Sequence, residues 1–135
     1  MSRRLDIGIA SYGNPEGLSR LLASLEKFCR TDWRALVISN PHPDQEANDA
    51  ARAILSAAGS RVWPSFAKEN VGYVGAVNLI LKEAETEYVA YCDHDVEHFT
   101  EGWDELLAGV LDRHHEVGMM FGNGGPYPID RGNYW

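Results

Sequence analysis

Two hydrophobic periods alternate along this chain. Residues 5–10, "LDIGIA", set apolar side chains at every second position and end in the polar loop "SYGNPEG", which predicts a strand. The next apolar residues, Leu18, Leu21, Leu22, Leu25, Phe28 and Cys29, recur three or four apart and predict a helix with one buried stripe. Its start is marked three ways: Asn14 can cap it, Pro15 suits its first turn, and Glu16 suits its positive end. "ALVIS" (35–39) predicts a buried strand, "NPHPD" a turn, and the alanine-rich stretch over 44–58 a second helix stopped by Gly59. "RVWPSF" (61–66) predicts a short strand, which Pro64 places near a sheet edge.

In "GYVGAVNLILKEAE", Val74, Val77, Leu81 and Ala84 stand at helical intervals, so the stretch reads as a third helix despite Gly75. "EYVAYC" predicts a strand buried on both faces. Thr100 can cap a helix over 101–113 with Trp103, Leu106, Leu107, Val110 and Leu111 inward, and "EVGMMF" (116–121) predicts a last strand. The stretch 122–135, rich in glycine and proline, predicts a loop. Strand and helix alternate throughout, which predicts an α/β fold: a mostly parallel sheet with helices on both faces. Ligands of such sheets bind outside the carboxyl ends of the strands. Ser11 and Tyr12, Ser39 and Asn40, Lys68 to Asn70, and Asp93 to Asp95 fall there.

Composition narrows this picture. With 135 residues, 44% of them hydrophobic, the chain suffices for a single domain over 1–135. Twelve basic residues against 20 acidic ones give a net charge of −8, which argues against general nucleic-acid binding but allows a pocket for one nucleotide. No segment reaches the roughly 20 apolar residues of a membrane span, and the N-terminal apolar run, broken at Asp6, is too short for a signal peptide. Cys29 and Cys92 lie in apolar contexts, so two buried thiols and a cytoplasmic location are expected.

"AYCDHDVEHF" (90–99) carries the candidate chemistry. Asp93 and Asp95 at a strand end repel each other unless a cation or substrate donors compensate. Such a pair suits a hard divalent cation, Mg²⁺ or Mn²⁺, shared with phosphate oxygens. His94, between them, could add a nitrogen ligand or point elsewhere, and His98 reads as a solvated loop residue. Gly72 and Gly75 at a helix start permit close backbone approach by a phosphate, although Gly75 also suits close packing on the sheet. Asn70 and Asn78 interrupt an apolar pattern and call for partners. Tyr12 could stack on a base.

With those residues in view, the chain resembles the nucleotide-binding part of a family-2-type glycosyltransferase with the Rossmann-like GT-A fold. "SYGNPEGLSRLLASL" is similar to the family's opening strand, loop and helix through Tyr12, Pro15 and Glu16. "ENVGYVGAVNLIL" is similar to its Asn-x-Gly-(aromatic)-x-x-Ala-x-Asn segment through Asn70, Gly72, Tyr73, Ala76 and Asn78. "EYVAYCDHDVEHFTEGWDELL" is similar to its strand, Asp-x-Asp and following Gly-Trp helix. The resemblance runs from about residue 5 to 125. It implies a nucleotide-diphosphate sugar as donor, a divalent metal, and inverting transfer to the hydroxyl of an acceptor that the sequence does not name. By position, Asp95 would ligate the metal and Asp93 would hold the ribose or share it. Ser11, Tyr12, Ser39, Asn40, Lys68, Asn70, Gly75, Asn78 and His94 would line the donor site.

Two departures stand out. Where the family carries an aspartate after its second strand, this chain reads "SNPHPD", with Ser39 at that place and Asn40 and Asp44 retained. The family's acceptor-binding half and catalytic base also come from beyond the part matched, and Asp130 is the sole carboxylate of the tail. Three readings therefore stay open: a compact or truncated transferase, a non-catalytic nucleotide-sugar-binding module, or a subunit completed by a partner. A self-association or partner surface is expected near 119–135, with Met119, Met120, Phe121, Tyr134 and Trp135.

Overall fold

The computed structural model describes residues 4–119. Strand and helix alternate in chain order: β1 (Arg4–Tyr12), α1 (Pro15–Phe28), β2 (Asp32–Asn40), α2 (Gln45–Ala57), β3 (Val62–Phe66), α3 (Gly72–Glu83), β4 (Val89–Asp93) and α4 (Trp103–Arg113). The four strands form one sheet in the order β3-β2-β1-β4, with every neighbouring pair parallel. The chain therefore starts in the middle, runs to one edge, and returns through α3 to the other side of β1. That reversal puts a crevice at the carboxyl ends of β1 and β4.

Side-chain alternation divides the core in two. Leu5, Ile7 and Ile9 of β1, with Trp33, Ala35 and Val37 of β2, face α1, α2 and the start of α4. Leu36 and Ile38 face α3, where Ala76 and Ile80 cover them. Leu18, Leu21 and Leu25 of α1 are fully buried, each contributing about 2 kcal/mol of apolar burial. Asn14 caps α1 as expected, its Oδ1 accepting from the Gly17 amide at 3.0 Å, and the Asp44 carboxylate caps α2 by accepting from the Glu46 amide at 3.0 Å. β3 is an edge strand, with Pro64 opposite Val37.

Several expectations are corrected. The buried stripe of α3 is Ala76 and Ile80, while Val74 and Leu81 are exposed, because Gly8 leaves a notch in β1 that seats Ile80. α2 ends through the extended residue Ala58 rather than at Gly59. α4 begins behind Gly102, whose φ of 68° no side-chain cap accompanies; Thr100 contributes its carbonyl, not its hydroxyl, to the turn. β4 is half-buried apart from Cys92, and its exposed end residue Asp93, because β1 is its only partner strand among the described residues. No strand forms over 116–119, where the Val117 amide bonds the His114 carbonyl at 2.9 Å and turns the chain after α4. Residues 120 and 121 of that expected strand, the loop expected over 122–135 and, apart from the exposed Met119, the surface expected near 119–135 lie outside the described residues.

At the amino ends of the strands, opposite the crevice, Asp6 and Arg34 form a cross-strand pair. The guanidinium donates from Nε to Oδ1 and from Nη2 to Oδ2, both at 2.8 Å. Asp6 Oδ2 also accepts from the Glu85 amide at 2.7 Å, and the Asp6 amide donates to Thr86 Oγ1 at 3.0 Å. The pair thus pins the turn between α3 and β4 to the sheet.

Candidate functional site

The carboxyl ends of three adjacent strands build the candidate site. Register places Tyr12 opposite Asn40 on β2 and Ala10 opposite Asp93 on β4. Alternation turns Tyr12, Asn40 and Asp93 to the α3 face, in line with Ala10, Ile38 and Tyr91 of the core beneath α3. Ser11 and Ser39, also paired in register, alternate to the opposite face; Ser11 is buried and Ser39 half-buried. The sequence cannot separate these two sets until register is fixed, because a one-residue slip exchanges the faces.

Asn40 organises the loop before α3. It is 6% exposed, and its Oδ1 accepts from the Val71 amide at 3.0 Å. The next turn is shaped by Asn70, whose Oδ1 accepts from the Gly72 amide at 2.9 Å. Both amide oxygens are thereby engaged with backbone. Lys68 and Asn78 are exposed, Lys68 on the loop entering α3 and Asn78 on the second turn of that helix. At Gly75 an added Cβ would meet the Val71 side chain at 2.9 Å, so the glycine serves the start of α3 rather than a contact with the sheet.

The Asp93-His94-Asp95 stretch forms a tight turn in which the Val96 amide donates to the Asp93 carbonyl at 3.1 Å. Both carboxylates are exposed. Burial, then the neighbouring Asp93 carboxylate, push the pKa of the Tyr91 phenol up; Tyr91 therefore stays protonated. Tyr73 of α3 packs edge-on against it, ring centroids 5.3 Å apart. His94 turns inward: its Nδ1 accepts from the Tyr12 amide at 3.0 Å. A neutral ring that accepts at Nδ1 carries its proton on Nε2 and has no second lone pair for a metal. His94 thus ties β1 to the loop after β4. Its carbonyl lies 2.9 Å from where a Cβ of Gly17 would stand, so only glycine in the first turn of α1 admits that loop.

His42 and Asp104 escaped the sequence reading, and His98 was misread. His42 packs against Tyr12, ring centroids 4.6 Å apart and planes at 64°; its place in a proline-flanked turn gave no sign of this contact. His98 is no solvated loop residue. It stacks on Trp103 at 4.1 Å with Nε2 3.4 Å from Cys92 Sγ, and burial lowers its pKa. Burial likewise pushes the thiols of Cys29 and Cys92 up to about 12, which makes both unreactive packing groups. Behind them, Asp104 accepts from the Thr31 amide, from Thr31 Oγ1 and from the Arg30 amide.

Asp93 and Asp95 stand exposed at the crevice. Two hollows, of about 110 and 190 Å³, lie elsewhere, the first between β2, β3 and α3, the second between α1 and Phe99. Among the described residues no three His, Cys, Asp or Glu side chains come together as a cation site, and no helix is long and apolar enough to cross a membrane.

The profile of glycosyl transferase family 2 matches residues 6–134. The chain belongs to glycosyl transferase family 2. No curated protein matches it significantly in sequence. Among solved structures it is similar to S. aureus TarS 1-349, with 24% identity and a TM-score of 0.62 over 83% of this chain and 33% of that one. The same TarS fragment in complex with UDP-GlcNAc superposes with a TM-score of 0.63 at 23% identity, over 83% of this chain and 32% of that one. A mannosyltransferase from Pyrobaculum calidifontis in complex with GDP-Man and Mn²⁺ gives 18% identity and a TM-score of 0.60 over 72% of this chain and 29% of that one. The family-2 chain described here thus has the GT-A fold and spans about a third of the length of the solved structures it matches.

Proposed function

We propose that this chain binds a nucleoside-diphosphate sugar with a divalent cation, Mn²⁺ or Mg²⁺, in the crevice at the strand ends, and transfers the sugar to an acceptor hydroxyl with inversion. One observation carries the reading: Tyr12, Asn40 and Asp93 end three adjacent parallel strands on one face of the sheet, beside the first turn of α3. Membership of glycosyl transferase family 2 supports it. So do the solved complexes of structural relatives with UDP-GlcNAc and with GDP-Man and Mn²⁺.

The residues present fit a cation that arrives with its nucleotide. Asp93 and Asp95 offer hard oxygen donors, and a small divalent ion takes one or two carboxylates, completing its shell with phosphate oxygens and water. We assign Asp95 to the cation and Asp93 to the ribose or a shared place on it. When bound, the cation would neutralise the charge gathering on the leaving diphosphate. The chain's own residues hold the donor: Asn40 and Asn70 fix the backbone at the start of α3, His94 fixes the Tyr12 amide, and Lys68 lies on the loop entering α3. The two buried free thiols suit the reducing cytoplasm, where we place the protein.

In calorimetric titrations, Asp95→Ala weakens Mn²⁺-dependent binding of the nucleotide-sugar at least about tenfold, the loss of one charge-assisted contact, with the far-UV circular dichroism unchanged. Equal affinity of the variant and the wild type would remove Asp95 from the site. A second reading, a binding module or a subunit completed by a partner, draws on Ser39 standing where the family resemblance calls for an aspartate. Donor turnover separates the two: a binder alone gives neither transfer nor donor hydrolysis above background.

A further inference from the structure

We infer that His42 reads the nucleobase of the donor through a fixed Nε2–H, with Tyr12 as the neighbouring wall. The inference rests on the donor-site reading above and adds a residue that contacts the base. The turn after β2 is built to hold this one imidazole. The His42 amide donates to Asn48 Oδ1 at 2.8 Å, and Asn48 Nδ2 donates back to the His42 carbonyl at 2.7 Å; the first turn of α2 therefore clamps the residue from both sides. The ring itself is oriented by the Asp44 amide, which donates to Nδ1 at 3.0 Å.

That bond also settles the tautomer. A ring accepting at Nδ1 bears its proton on Nε2. Among the described residues Nε2–H meets no protein acceptor, and the side chain is only half-buried. Space for the ring comes from Gly13, which stands at φ 64°; a Cβ there would lie 2.5 Å from His42 Cδ2 and 2.9 Å from Nε2. The Cδ2 side of the ring is thus laid over the loop between β1 and α1. Its plane meets that of Tyr12 at 64°, and Tyr12, 39% exposed, keeps ring surface for a ligand. Two rings at such an angle form a corner that suits a flat heterocycle.

The His42 edge presents one neutral donor, so a base meets it with a carbonyl or ring-nitrogen acceptor and not with an exocyclic amino group. A serine, Ser39, is next to last in β2, and among the described residues no carboxylate forms a hydrogen bond or ion pair with the His42 ring. The base is therefore met by a donor with no formal charge.

The test titrates UDP, CDP, GDP and inorganic pyrophosphate, each with Mn²⁺, into the wild type, His42→Ala and His42→Gln. Pyrophosphate lacks a base and reports on the cation and phosphate part alone. The inference predicts that the wild type prefers one nucleotide to pyrophosphate. His42→Ala should then weaken that nucleotide about tenfold, the worth of one good hydrogen bond, while pyrophosphate binding stays unchanged. His42→Gln, which keeps an N–H donor, should recover part of the loss. Equal nucleotide affinity in the wild type and His42→Ala would overturn the inference and leave the donor site standing. Equal loss of nucleotide and pyrophosphate would also overturn it, by making His42 a structural residue. A wild type that binds none of the four overturns the donor-site reading and this inference with it.

Discussion

Asp104 and Asp6 are carboxylates in the interior, 1% and 0% exposed, and each is held by donors rather than by water. Burial works to raise the Asp104 pKa, but the hydrogen bonds from Thr31 and Arg30 outweigh it and hold the group below its ordinary value. A carboxylate lowered in the folded state stabilises the fold fully above its unfolded pKa of about 3.9, and that contribution fades as the pH falls through the lower folded value. Asp104→Ala leaves the Thr31 and Arg30 amides without their acceptor and should cost about 3 kcal/mol at neutral pH. Urea unfolding measured from pH 7 to pH 3 checks this: the gap between variant and wild type should narrow toward acid. A gap independent of pH would mean that packing, not ionisation, sets the cost. For Asp6 the partner is a charge. Arg34→Ala strands a buried carboxylate and should cost about 4 kcal/mol, whereas replacing both residues with apolar ones of similar size should cost less than either single change. A double-mutant cycle by chemical denaturation decides it, and additive losses would contradict a coupled pair.

Among the elements, α3 best separates what a sequence carries from what it does not. Its helical period is legible in Val74, Val77, Leu81 and Ala84, yet the residues it buries are Ala76 and Ile80. Periodicity fixes that a stretch is helical; the orientation of the stripe was set by a notch in another element, Gly8 of β1. A Cβ there would stand 2.3 Å from Ile80 Cγ2, so Gly8→Ala should destabilise the protein by about 2 kcal/mol through overpacking. Adding Ile80→Val to that variant should recover stability, as thermal unfolding would report; no recovery would place the strain elsewhere. The start of α1 was legible because Asn14, Pro15 and Glu16 act within one turn. The start of α4 was not, since it depends on the positive φ of Gly102 and on Asp104 reaching back to Thr31. The candidate site divides in the same way. Asp93 and Asp95 stand out as two acids after an apolar run. The inward turn of His94 and the corner of Tyr12 with His42 join residues 82 and 30 positions apart, which no local pattern encodes.

At the scale of the whole molecule, the alternation of strand and helix was enough to predict a parallel sheet, and the observed order β3-β2-β1-β4 fixes where its crevice lies. The two ends of that sheet differ in kind. The amino ends hold the fully engaged Asp6–Arg34 pair, tied to the turn before β4. The carboxyl ends leave Asp93 and Asp95 exposed beside backbone already held by Asn40, Asn70 and His94. A preorganised backbone next to carboxylates open to a ligand is what a cation-assisted diphosphate site requires. Paramagnetic broadening by Mn²⁺ in the presence of a nucleotide-sugar, read residue by residue in the amide NMR spectrum, tests that claim most directly. The account predicts selective loss of the signals of Tyr12, Asn40, Gly72 and Asp93 to Val96, with those of Asp6 and Asp104 preserved. Broadening centred on the Asp6 or Asp104 carboxylate, or none at any nucleotide-sugar concentration, would contradict it.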